Sequence, residues 1–128
     1  NTVTELCERD GSVLIVDCHS FPKYPLPYEL DQKRERAEIC IGTDAFHTPT
    51  EITLFGQFFE TADLSVALDR PFSGSIVPMK YWQKEPNVKS VMTEIRRDLY
   101  MNEKTGTKSH NFNEMQKTIS KIIKILAN

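Results

Sequence analysis

No stretch of this 128-residue chain approaches the roughly 20 consecutive apolar residues of a membrane-spanning helix, and no signal peptide is visible at its start. A membrane partner is not expected. Clustered positive charge is also missing: 16 lysines and arginines are mixed with 18 acids for a net charge of −2, which leaves no electrostatic footprint for nucleic acid. The densest charged run, Asp31-Gln32-Lys33-Arg34-Glu35-Arg36, alternates in sign and reads as a solvated loop. Cysteine is scarce. Cys7, Cys18 and Cys40 form no close-spaced pair, and two of them fall in strands expected to be buried, so reduced, packed thiols in a cytoplasmic protein are expected. Internal repeats and low-complexity segments are absent. The first residue is Asn1, not Met, and a core strand follows within about a dozen residues, so the expectation is that something upstream has been lost.

What remains is the composition of one globular domain, 39% hydrophobic and 27% charged, large enough to bury a core. Its most telling stretch is Val13-Leu14-Ile15-Val16 running into Asp17-Cys18-His19-Ser20-Phe21. Four branched apolar residues predict a fully buried strand, and its carboxyl end opens onto polar chemistry, where open α/β sheets keep their sites. Strand alternation puts Asp17 and His19 on one face and Cys18 on the other. Two readings are open there: a metal-ligating His oriented by a carboxylate, or a strand-end His that satisfies backbone groups.

Around this strand the other elements follow from local signals. Residues 2–9 read as the last turns of a helix closed by Gly11. The segment 21–36 interleaves Pro22, Pro25 and Pro27 with Tyr24, Leu26 and Tyr28, which excludes helix interior and central strand and leaves a pocket wall or a packed connection. Residues 37–42 predict a short buried strand. Thr48-Pro49-Thr50-Glu51 combines a capping box with proline at the first helical position, so a helix starts there, with Ile52, Leu54, Phe55, Phe58 and Phe59 on its apolar side and its end near Asp63. Strands are expected over 64–68, 75–79 and 88–99, and residues 111–126 carry Met115, Ile119, Ile122, Ile123 and Leu126 at helical spacing. Together these predict a three-layer α/β/α sandwich around a mixed sheet.

Within the strand at 88–99, alternation puts Met92, Glu94 and Arg96 on one face and Val91, Thr93, Ile95 and Arg97 on the other. Glutamate is depleted in strands and expensive to bury alone, so Glu94 is expected to meet a metal, a ligand or an arginine.

Four blocks, 17–21, 38–48 (Glu38-Ile39-Cys40-Ile41-Gly42-Thr43-Asp44-Ala45-Phe46-His47-Thr48), 71–74 (Pro71-Phe72-Ser73-Gly74) and 94–101 (Glu94-Ile95-Arg96-Arg97-Asp98-Leu99-Tyr100-Met101), occur in the order and spacing of the N-formylglutamate amidohydrolase family, which the chain resembles over nearly its whole length. The resemblance implies a zinc hydrolase with a phosphorylase/hydrolase-like fold related to the metallocarboxypeptidases. Its small-molecule substrate would be N-formylglutamate, met in histidine breakdown, or a similar N-acyl amino acid. It makes His19 a zinc ligand, Glu94 the general base and Arg97 the arginine that follows it in the family motif, suited to substrate carboxylates; Asp17, by strand spacing, stands behind His19, and Arg96, a departure from the family, would either weaken Glu94 as a base or enlarge the carboxylate site. A metal-activated water, a carboxylate to take its proton and a nearby cation make chemical sense together.

The same resemblance marks departures. Two further zinc ligands, a His and an acid, belong to an amino-terminal half with no counterpart in residues 1–12, so this chain should hold zinc weakly and its sheet should expose an edge open to self-association. Glu38, Arg96 and Asn102 stand where the family usually has Asp, Asn and Asp. Arg96 would place a second cation on the face of Glu94, and in the absence of metal Arg96 or Arg97 is expected to pair with that carboxylate. A non-catalytic remnant that binds a small acid or a partner stays open, as does a metal site built from His19 and His47 with Cys40 or Asp44.

Overall fold

For nine residues, β1 (Val13–Phe21) and β4 (Val88–Arg96) lie side by side in parallel, Val13 opposite Val88 and Phe21 opposite Arg96. The computed structural model describes residues 2–46 and 49–126, apart from the side chains at 49, 51 and 126. On the far side of β4, β2 (Ile39–Gly42) pairs antiparallel, and β3 (Val66–Leu68) then pairs parallel with β2. The sheet is therefore mixed, in the order β1-β4-β2-β3, and β1 is an edge.

Alternation along these strands sorts the side chains into two faces. One face carries Ile39, Ile41 and Val91, covered by Phe55 and Phe59 of α2 (Pro49–Glu60) and by Ile122 of α3 (Phe112–Leu126). The other carries Val13, Ile15 and Val88, packed with Val77, Tyr81, and Val3 and Cys7 of α1 (Thr2–Asp10). Helices thus lie on both faces, as expected. The α1 helix ends as its sequence predicts, with Gly11 at φ 78° donating its N–H to the Cys7 carbonyl at 2.9 Å. A hydroxyl pair, Thr4 Oγ1 and Tyr81 Oη at 2.5 Å, ties that helix to the turn below it. This second apolar cluster covers the first half of β1 and stops before Asp17.

Several expectations are corrected. The run Val13 to Val16 is not fully buried: among the described residues β1 has a neighbouring strand on one side only, and Leu14 is 37% exposed. A short apolar run cannot distinguish a central strand from an edge strand. Cys18 is exposed for the same reason, whereas Cys40 on β2 is fully buried; all three cysteines are free thiols. Residues 75–79 form no strand but pass over the sheet with Val77 inserted into the second cluster. Leu54, expected on the apolar side of α2, is half exposed. The strand expected over 88–99 stops at Arg96, and Arg97–Leu99 form a 3-10 turn, so Arg97 leaves the alternation of β4. Thr48 and His47 lie outside the described residues, and with them the proposed capping box and the His47 metal site.

The charged run at 31–36 is the largest correction, because Arg36 is buried, at 8% exposure. Its guanidinium pairs with Glu29 and donates to the carbonyls of Pro22, at 3.2 Å, and Asp31, at 3.0 Å, while its charge stands 5.9 Å from the centre of the Phe21 ring. One arginine thereby closes the proline-rich segment into a packed connection. Tyr28 and Leu30 remain exposed on its outside.

Candidate active site

The carboxyl-terminal half of β1 and the end of β4 bring three of the expected residues to one face. Pairing sets His19 opposite Glu94 and Asp17 opposite Met92, and the antiparallel pairing of β2 sets Cys40 opposite Glu94 on its other flank. A row His19, Glu94, Cys40 therefore crosses the sheet. Asp17, two residues before His19 and so on the same face, accepts from His19 Nε2 at 2.8 Å through Oδ1. That contact fixes the ring and leaves Nδ1 as the nitrogen for another partner. Half of the His19 side chain is open to solvent, whereas Asp17 is mostly covered.

Glu94 is the anomalous group. It is 7% exposed, and its Oε2 is buried with no hydrogen-bond partner among the described residues. Burial pushes its carboxyl above the usual range; the nearby charges of His19 and Arg97 oppose that shift, and those of Asp17 and Glu29 add to it. A second orphan lies beside it, since Asp17 Oδ2 is also buried without a partner among the described residues. Buried polar atoms are nearly always satisfied, so two unfilled carboxylate oxygens on one face mark a place built to receive something.

Neither arginine pairs directly with Glu94, contrary to expectation. Arg96 donates from Nε to Asp98 Oδ1 at 2.7 Å, from Nη2 to Asp98 Oδ2 at 3.4 Å and from Nη1 to the Arg36 carbonyl at 2.6 Å. All of its donor nitrogens are thereby engaged. Asp98 also meets Lys23 Nζ at 3.2 Å, so the cation at 96 serves the loop joints rather than the face of Glu94. Arg97 turns to β1, donating from Nε to Ser20 Oγ at 3.1 Å and from Nη2 to the Ser20 carbonyl at 3.0 Å, and reaches Glu94 only through its charge.

The flank of Glu94 away from His19 is closed by a strap at residues 69–75. Cys40 Sγ donates to the Phe72 carbonyl at 3.2 Å, Phe72 packs edge-on against Phe21 at 6.2 Å between ring centres, and Ser75 Oγ donates to the Ser90 carbonyl at 3.0 Å. Where the strap crosses β2 there is no room for a side chain: a Cβ on Gly42 would lie 2.2 Å from the Gly74 carbonyl oxygen. Asp69 anchors the start by accepting from the Thr43 N–H at 2.8 Å and the Thr43 hydroxyl at 2.7 Å. The block Pro71 to Gly74 is thus the wall beside the carboxylate. Ser20 was not among the expected site residues, and only the pairing of strands reveals it; Cys40, expected only as a possible partner of His19 and His47 at a metal, instead gives its thiol to the Phe72 carbonyl.

Among the described residues, no group of three His, Cys, Asp or Glu side chains is placed to hold a metal ion, and no helix is long and apolar enough to cross a membrane. A family model described as N-formylglutamate amidohydrolase matches residues 1–101. The crystal structure of N-formylglutamate amidohydrolase from Ralstonia eutropha JMP134 superposes with a TM-score of 0.77 at 23% sequence identity, over 93% of this chain and 45% of that one. The fold is therefore shared, and this chain spans less than half the length of that protein. No curated protein matches the chain.

Proposed function

This chain belongs to the N-formylglutamate amidohydrolase family, and from that premise we propose that it forms part of the catalytic domain of a zinc hydrolase that cleaves an N-formyl or similar N-acyl amino acid. The reading includes a metallocarboxypeptidase-like frame, of which these 128 residues supply the carboxyl-terminal portion. The observation that carries it is the unpaired, buried Oε2 of Glu94, in register with a histidine already oriented by a carboxylate.

The residues present fit a zinc site in part. His19, through Nδ1, would hold the metal, with Asp17 keeping the ring in place; since catalytic zinc takes three protein ligands, the others would come from outside these 128 residues. Zinc, when bound, supplies a water of lowered pKa and polarises the scissile carbonyl. Glu94 takes a proton from the attacking water and returns it to the departing amine, so that N-formylglutamate and water give formate and glutamate. The strap and Phe21 keep solvent from its far side. Arg97 faces the carboxylates of the substrate, a task matched to a planar fork. Arg96, with its donors engaged by Asp98 and the Arg36 carbonyl, joins it only if substrate displaces those contacts.

The lack of a three-ligand group among the described residues favours a second reading, a folded module that binds a small acid or a partner without catalysis. One substitution separates the two. In the native full-length, zinc-loaded protein, Glu94→Gln should keep zinc and substrate affinity and lower turnover of N-formylglutamate by about a hundredfold or more. Unchanged turnover per folded molecule would remove Glu94 from the chemistry.

A further inference from the structure

Ser90 is the most deeply buried polar side chain among the described residues, at 0% exposure, and its Oγ has no hydrogen-bond partner there. A hydroxyl taken wholly out of water is nearly always bonded to something. Alternation along β4 puts Ser90, Met92 and Glu94 on one face, and the pairing with β1 sets Ile15 opposite Ser90 and Asp17 opposite Met92. Asp17 is therefore the diagonal neighbour of Ser90. Such neighbours stand roughly 7 to 8 Å apart, too far for two short side chains to meet directly and suited to one water between them.

The surrounding contacts aim the two orphan atoms at each other. Asp17 Oδ1 is engaged by His19, two residues further along β1; the oxygens of a carboxylate diverge, so the buried, unbonded Oδ2 is turned back toward the row of Ile15 and Ser90. Met92, which lies between Ser90 and Glu94 on β4, carries its methyl over β2 on the other flank, where a Cβ on Gly42 would lie 2.5 Å from it. Ser90 is itself held, since its carbonyl accepts from Ser75 Oγ of the strap at 3.0 Å.

We propose that Ser90 is a positioning residue for the histidine site: its hydroxyl donates to an ordered water that in turn donates to Asp17 Oδ2, so that His19 is held, through Asp17, from the interior of the sheet. A carboxylate bonded at one oxygen can pivot about that contact, and a second contact at the other oxygen fixes its plane. The plane of Asp17 then sets the orientation of the ring that it accepts from. Only the consequence at the metal rests on the zinc reading given above.

The test combines stability with metal affinity and requires no turnover. In the native full-length protein freed of metal, Ser90→Ala should lower the melting temperature by about 2 °C or more, because a made hydrogen bond is lost. A hydroxyl that is merely tolerated gives the opposite sign, since removing an unsatisfied buried group stabilises. Zinc affinity, measured by competition with a chelator, should fall roughly tenfold, the lower end of what losing a group behind a metal ligand costs; a purely structural role would leave it unchanged. In protein that already carries Asp17→Ala, the same change at Ser90 should lower neither quantity further, because the link has already been cut. A crystal structure of the parent should show one water within hydrogen-bonding distance of Ser90 Oγ and Asp17 Oδ2 together. If Ser90→Ala does not fold, Ser90→Cys, close to serine in shape and weak in hydrogen bonding, takes its place with the same expectations. A melting temperature that is equal or higher, unchanged zinc affinity, additive losses with Asp17→Ala or no shared water overturns the proposal. A parent that holds no zinc at all would instead overturn the zinc reading, and the melting comparison would still decide the link between Ser90 and Asp17.

Discussion

His19 and Glu94 are register partners across the parallel pair β1 and β4, and the carboxylate keeps one oxygen buried and unbonded while the imidazole beside it is already held by Asp17. Neither strand creates this arrangement alone. His19 is one residue from being on the wrong face, and a slip of β1 by one residue would exchange it for Cys18 or Ser20.

Ligand counting leads to the first expectation. The isolated 128-residue chain should bind zinc weakly or not at all, and the native full-length protein should hold about one equivalent that is lost in His19→Ala. Elemental analysis after dialysis checks both. Tight stoichiometric zinc in the isolated chain would instead require a ligand set that draws on residues such as His47.

Edge exposure leads to the second. With β4 on one side of β1 and, among the described residues, no strand on the other, Val13 to Phe21 offers main-chain donors and acceptors over an uninterrupted stretch without lysine or proline. The isolated chain should self-associate as its concentration rises, measured by light scattering. Leu14→Lys, at a position already 37% exposed, should return it toward monomer. A chain that stays monomeric at high concentration would show that this edge needs no cover.

The buried pair Glu29 and Arg36 sets the third. Arg36→Met strips Glu29 of its partner inside the proline-rich connection and should cost about 3 to 5 kcal/mol in denaturant unfolding. Adding Glu29→Leu should recover much of that loss, because the expense lies in the uncompensated charge. A double variant as unstable as the single would assign the effect to the lost carbonyl contacts of Pro22 and Asp31.

A pH dependence follows from Asp98. Burial pushes its carboxyl up, but the Arg96 hydrogen bond and charge, with Lys23 adding to them, outweigh burial and hold it below the usual range. A carboxyl whose folded pKa is depressed stabilises the fold above its unfolded pKa, and the benefit fades as the pH falls through the folded value. Asp98→Asn should therefore destabilise the protein by about 1 kcal/mol at pH 7, allowing for screening of a partly exposed pair, and by less as acid protonates the parent. Thermal unfolding at a series of pH values measures the difference. A gap that widens in acid would reverse the assignment.

Much of the fold could be read locally because the signals are local. Gly11 closing α1, the apolar spacing of α3, the apolar run at Val13 and the alternating strand that begins at Val88 depend on near neighbours and on period, and the helices on both faces of a mixed sheet followed from their sum. That Asp17 and His19 share a face of β1, and Met92 and Glu94 a face of β4, was also available from alternation; that these are the same face of the sheet is set by the register. Three things were not. That β1 is an edge depends on strand order, which an apolar run does not encode. The burial of Arg36 inside a run of alternating charge depends on Glu29 and on carbonyls contributed by a folded loop. The division of labour between Arg96 and Arg97 depends on a turn that ends β4 between them.

By itself, then, the sequence determined which residue types were at hand and on which side of its own strand each would stand: a carboxylate and an imidazole two apart, a glutamate within a strand, and two consecutive arginines after it. Only the tertiary structure decided the partners. Asp98 and the Arg36 carbonyl take Arg96, Ser20 takes one edge of Arg97, and Glu94 is left with an empty oxygen beside His19. The reason is that alternation is a property of one strand, whereas a contact needs the register between two, and register is fixed by packing across the whole sheet.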